Sequence, residues 1–193
     1  LVTGAVELRA PGGPVGNDSM PNAQGLAPEM RKAYVRASFG PTARELHLGA
    51  GLMTSHWGMG LVANDGAHGW EPGTARFTDP RGDDRVVRAF AGTGPHGAAR
   101  LGATVAADWV VGDDVLLAGD QAMQVVGALV LGQGQLHRPS AGLYAVGRWQ
   151  KAPSGRDLFV VVTDLTARSE ILLGDRARPL RLVLEAEAAH VWG

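Results

Sequence analysis

Apolar and polar residues alternate strictly along much of this chain. Between Ala99 and Val111, the residues Ala99, Leu101, Ala103, Val105, Ala107, Trp109 and Val111 form an uninterrupted apolar series. Arg100, Gly102, Thr104, Ala106 and Asp108 fall between them. Lys32–Phe39 sorts in the same way, with Ala33, Val35, Ala37 and Phe39 against Lys32, Tyr34, Arg36 and Ser38. In Glu45–Leu52, Leu46, Leu48, Ala50 and Leu52 oppose Glu45, His47, Gly49 and Gly51. Near the end, Leu180, Leu182, Leu184, Ala186 and Ala188 oppose Arg181, Val183, Glu185 and Glu187. Successive side chains of a strand point to opposite faces, so each segment is expected to be a strand with one apolar face.

Weaker alternation fills the gaps at Arg85–Gly92, Gln121–Gly132, Ala141–Gln150 and Asp157–Glu170. From Arg31 onward this gives eight strands, and Val2–Ala10 offers a ninth. The linkers carry turn chemistry: Gly40-Pro41, Gly94-Pro95-His96-Gly97, Gly112-Asp113-Asp114, Pro153-Ser154-Gly155 and Gly174-Asp175. Two connections are long, Pro11–Pro28 and Asn64–Asp83. No helical period competes. The longest stretch free of Asp, Glu, Lys and Arg, Leu46–Asn64, contains Gly49, Gly51, Gly58 and Gly60. Each costs a helix about 1 kcal/mol relative to Ala, so a spanning helix is rejected there. The fold is expected to be all-β.

Composition narrows the options. A length of 193 residues suits one domain, or two very small ones, and is long enough to bury a real core. The absence of Cys excludes a disulfide scaffold, a zinc ribbon, an iron–sulfur site and a cysteine nucleophile. A formal net charge of −1 argues against a nucleic-acid partner, which calls for a basic face. All but Lys32 and Lys151 of the 18 cations are Arg. Leu1 is preceded by no initiator Met and no leader, which reads as a processed chain or part of a longer one.

Alternating strands build either a soluble sandwich or a membrane barrel. Sandwich strands average five or six residues, whereas outer-membrane strands need roughly nine to eleven. The clearest segment, Ala99–Val111, and the segments Gln121–Gly132, Ala141–Gln150 and Asp157–Glu170 are ten residues or longer, joined mostly by short turns. Apolar faces are free of charge in the clearly alternating segments. Phe39, Trp57, Trp109, Trp149 and Trp192 lie near strand ends, as interfacial girdles require. The expectation is an antiparallel up-and-down transmembrane β-barrel of about eight strands, or part of a larger barrel. Residues 1–30 read as an N-terminal strand and irregular segment, and 31–193 as the barrel strands. The alternative is a soluble β-sandwich or jelly roll, as in a coat or carbohydrate-binding module, with Leu101, Val105 and Trp109 buried.

Residues 28–66 carry a more specific pattern. Pro28-Glu29-Met30-Arg31-Lys32-Ala33-Tyr34-Val35-Arg36-Ala37 leads through a turn to Glu45-Leu46-His47-Leu48-Gly49. Thr54-Ser55-His56-Trp57-Gly58-Met59-Gly60-Leu61-Val62-Ala63-Asn64-Asp65-Gly66 follows. This resembles the myxobacterial-type outer-membrane β-barrel family, whose members carry a similar hairpin ending in a Ser-His-Trp-Gly-x-Gly-x-x-Ala-Asn-Asp-Gly-like motif. Ser55, His56, Trp57, Gly58, Asn64, Asp65 and Gly66 match it. Gly82-Asp83-Asp84-Arg85-Val86 and Gly112-Asp113-Asp114-Val115 are weaker echoes. The resemblance implies an envelope location, no established catalytic activity, and a wider barrel of which this chain is a portion. Trp192-Gly193 departs from the terminal aromatic that barrel-assembly machinery reads.

The polar faces collect Lys32, Arg36, Glu45, His47, Arg100, Asp108, Asp164, Arg168, Glu170, Arg181, Glu185 and Glu187. In a narrow barrel these would form a paired internal network; in a wide one they would line a water channel. Ser55, His56 and Asn64 supply the residue types of a nucleophilic constellation. However, adjacent strand residues point to opposite faces, which keeps Ser55 from His56. The segment reads instead as a strand end, with His56 and Trp57 at the headgroup boundary and Gly58 and Gly60 permitting a bend. Asn64, Asp65, His68, Glu71, Asp79, Asp83 and Asp84 offer hard oxygen ligands suited to Ca²⁺, as do Asp113, Asp114 and Asp120, but without EF-hand spacing. The expectation is therefore no catalytic site, no metal and no cofactor, with a loop calcium as the alternative. The expected setting is the bacterial outer membrane, with the lipid bilayer and other envelope proteins as partners. The expected role is a porin-like channel or a structural envelope protein.

Overall fold

A computed structural model describes residues 2–9, 29–40, 46–64, 84–113, 115–132, 139–174 and 180–193. They form nine strands: β1 (Val2–Arg9), β2 (Glu29–Phe39), β3 (Leu46–Thr54), β4 (Arg85–His96), β5 (Leu101–Gly112), β6 (Gln121–Leu131), β7 (Ser140–Lys151), β8 (Asp157–Leu173) and β9 (Leu180–Trp192). Each pairs antiparallel with its sequence neighbours in a single sheet of order β1 to β9. The all-β, up-and-down expectation is correct, with Val2–Arg9 as the ninth strand. Among the described residues the sheet is not closed into a barrel, as an eight-stranded ring would require: β1 and β9 are its two edges.

Boundaries shift where glycine chemistry intervenes. The turn expected at Gly94–Gly97 begins later, because β4 runs on to His96 past a register shift after Thr93. Ala99 and Arg100 accordingly belong to the β4–β5 turn, where Arg100 adopts a φ of 49°. Arg100 therefore leaves the expected polar strand face.

The register sorts the two faces cleanly. Positions 33–39 of β2, 46–52 of β3, 87–91 of β4, 101–111 of β5 and 123–131 of β6 present their odd or even apolar set to one side. Positions 141–149 of β7, 159–173 of β8 and 180–192 of β9 continue it, with Thr163, Ser169 and His190 as polar members. No Asp, Glu, Lys or Arg occurs at those positions. They are exposed: Val35, Leu48, Leu129, Leu165 and Leu184 all face outward. Leu101, Val105 and Trp109, which a sandwich would bury, are 40%, 62% and 44% exposed.

The other face is an inner one, because the sheet curls. Residues 55–64, here called the strap, leave β3 and cross that face, where the Met59 amide donates to the Glu187 carboxylate on β9. In a flat sheet β9 would lie six strand spacings from β3, about 29 Å away. Five residues from Thr54 to Met59 span at most about 17 Å, too little even with the reach of a glutamate added. The sheet must bend around the strap. Two apolar clusters sit on this concave wall: Ala106, Val126, Tyr144 and Val146, and Val86, Val110 and Ala122. The face expected to be polar is thus mixed, with valines seated between its charges.

Candidate functional site

Strand register builds a polar row across the inner wall. Arg88 on β4, Asp108 on β5, Gln124 on β6 and Arg148 on β7 are successive cross-strand partners. Arg88 donates from Nε and Nη2 to the two Asp108 oxygens at 2.7 Å each, a bidentate fork suited to a planar guanidinium. Gln124 Nε2 donates to Asp108 Oδ2 at 2.9 Å. Asp108 is buried, so these three donors replace the water it has lost. Arg148 pairs with Asp113 at the end of β5 and donates to Gln150 Oε1 at 2.7 Å. Gln150 Nε2 in turn donates to Asp120 Oδ2 at 2.6 Å. Asp113 also accepts the Val115 and Leu116 amides, capping the β5–β6 turn.

The strap is fixed at its base, its middle and its tip. At the base, Ser55 N donates to Asp84 O at 2.8 Å, and Asn64 N to Asp84 Oδ2 at 2.8 Å. Trp57 N donates to Ala63 O and Gly60 N to Trp57 O, so the strap is a small closed loop. Trp57 in the middle stacks on Tyr144 of β7, ring centroids 5.0 Å apart. It also covers Gly142, where a Cβ would fall 2.7 Å from the indole. At the tip, Glu187 accepts the Met59 amide and the Leu61 amide, the latter at 3.3 Å. Gly58 has a φ of +54°, and a Cβ there would lie 2.8 Å from the Glu187 carboxylate. The Ser-His-Trp-Gly string therefore has a structural logic: Ser55 faces Arg88, Trp57 finds a glycine-lined seat, and Gly58 clears the glutamate.

Beneath the strap, Asp164 on β8 is fully buried and lies beside Glu187 and Trp57. The Asp164 oxygens and Trp57 Nε1 are neighbours, but none of them makes a hydrogen bond of good geometry. Further along β8 and β9, Arg168 Nη1 donates to Glu185 Oε1 at 3.0 Å, and Arg181 Nε pairs with Glu170 Oε1 at 2.7 Å. Four of the expected polar positions are thus joined as two ion pairs.

The other expected residues are distributed as follows. Lys32 and Arg36 are half-buried on β2, and His47 on β3 shares a 2.8 Å hydrogen bond with Ser38. Glu45, Asp65, Gly66, His68, Glu71, Asp79, Asp83 and Asp114 lie outside the described residues. Of the acidic loop, Asn64 and Asp84 are described and bind each other across the loop's base. Asp113 and Asp120 are engaged by Arg148 and Gln150. Among the described residues no group of three or more His, Asp or Glu side chains is placed to hold a metal. Ser55 is buried, and its hydroxyl accepts from Arg88 Nη2 at 3.3 Å, a group that cannot take its proton.

Trp57 departs from its expected place in an outer girdle. Phe39, Trp109, Trp149 and Trp192 are exposed at the outer face, whereas Trp57 follows the inward parity of Gly49, Gly51 and Met53 and stacks on Tyr144. Arg88, Gln124, Tyr144, Arg148 and Gln150 are site residues that sequence patterning passed over. Their signal was present in the period of two, but valines at neighbouring inner positions blurred it. Comparison with known proteins found no matching family model, no matching curated protein and no matching solved structure.

Proposed function

We propose that this chain forms the wall of a bacterial outer-membrane β-barrel, acting as a porin-like channel or a structural envelope protein. The observation that carries the reading is the inversion of faces: the outward side is apolar and uncharged, while the ion pairs gather inside. An apolar surface running over eight adjacent strands far exceeds the few hundred Å² that a soluble monomer leaves exposed. Strands of eleven residues such as β2 and β6, tilted about 40°, span about 28 Å, close to the apolar band of such barrels.

Lipid also requires every backbone group to be satisfied, so the edges β1 and β9 must pair, with each other or with further strands. The test is reconstitution of purified protein into lipid vesicles. Co-flotation with vesicles, resistance of the strands to protease and a heat-dependent gel shift are expected. A monomer that stays soluble without detergent would refute the proposal and favour the sandwich.

A further inference from the structure

We propose that the strap is a constriction across the inner space, held shut by Glu187 and able to swing away from β9 when that clamp opens. This rests on the membrane-wall reading above. Three observations support it. First, the strap is a self-contained loop, closed by its own Trp57–Ala63 and Gly60–Trp57 hydrogen bonds and hinged at Asp84, so it can move as a unit. Second, its tip is tied to the far wall by Glu187, which accepts both tip amides. Third, the closed position holds unrelieved polar groups. Asp164 is fully buried beside the Glu187 carboxylate, a second acceptor, and the neighbouring Trp57 Nε1 does not meet it in good hydrogen-bond geometry. Water reaching these groups on opening offsets the loss of the clamp, as two comparably stable arrangements require. Room also remains behind the strap: a cavity of about 520 Å³, lined by Val62, Asn64, Val86, Tyr144, Arg148 and Val160 among others.

The absence of native cysteine makes the test direct. A single Val62→Cys probe in otherwise unchanged full-length protein reports strap opening through its reaction with a polar thiol reagent in detergent micelles. Adding Glu187→Ala removes both tip hydrogen bonds, while Glu187→Gln keeps an acceptor. Labelling is expected to accelerate about tenfold or more with Ala and by less with Gln. Amide protection in β5–β7 checks that the wall remains folded. Gly58→Ala, which pushes on the clamp without removing its charge, serves if Glu187→Ala unfolds. In planar lipid bilayers the wild-type protein is expected to pass little current and Glu187→Ala several-fold more. Unchanged labelling with the wall intact overturns the clamp, whatever the bilayer result. Faster labelling with vesicle insertion but unchanged current overturns the constriction. Faster labelling with no insertion by either protein overturns the membrane-wall reading and the gating role with it, while the clamp stands.

Discussion

Replacing Asp108 with Ala is the most informative perturbation of the inner wall. The carboxylate is buried, its side chain has no exposure, and it accepts two Arg88 bonds at 2.7 Å and one from Gln124 at 2.9 Å. Removing it leaves the Arg88 guanidinium partly buried without its partner and Gln124 without an acceptor. Breaking a buried ion pair in this way costs about 3–5 kcal/mol. Arg88 keeps 17% of its side-chain surface exposed and has Ser55 Oγ at 3.3 Å as a second acceptor. That partial relief places the expected loss near the lower limit, about 3 kcal/mol. Reversible urea unfolding in lipid vesicles measures it, with the m-value checking that the folded state is otherwise unchanged. The double variant Arg88→Met/Asp108→Ala removes both charges, and should recover at least about 1 kcal/mol relative to the sum of the Arg88→Met and Asp108→Ala losses. A loss below about 1 kcal/mol for Asp108→Ala, or singles that simply add, would refute the reasoning.

Val105, 62% exposed in the middle of β5, distinguishes lipid from water most cleanly. Val105→Arg should destabilise the protein in vesicles by about 2–4 kcal/mol, against about 0.5 kcal/mol or less for a water-facing site; unfolding midpoints in vesicles decide. Gly142→Ala places a Cβ 2.7 Å from the Trp57 indole, so about 1–3 kcal/mol of overpacking and an altered Trp57 emission are expected. An unshifted spectrum with wild-type stability would mean that Trp57 does not occupy this seat. Arg181→Ala removes a pair whose arginine is 47% exposed, so a change of about 1 kcal/mol or less is expected, checked by the same unfolding assay.

Much of the fold was legible in the order of residues. A period of two is a local property, and the longest runs, in β2, β3, β5 and β9, set both the strand and the face that carries its apolar half. Where inner positions hold valine as well as arginine or glutamine, as in β4, β6 and β7, the alternation fades and the segment reads as weak. Arg88, Gln124 and Arg148 were therefore invisible as a group until register placed them side by side. The Ser-His-Trp-Gly string stood out as distinctive, yet its geometry was out of reach. By parity Trp57 falls on the inner side with Gly49, Gly51 and Met53, but nothing in the string marked Tyr144 and Gly142 as its seat.

The sequence by itself determined that this chain is a meander of long, two-sided strands, because alternation and turn residues act between near neighbours. Tertiary structure decided which side faces in, that the sheet curls without closing on itself, and that residues 55–64 cross its hollow to meet Glu187. Those outcomes depend on contacts between residues more than a hundred positions apart. The pairing of Met59 with Glu187 leaves no mark in the pattern around either residue.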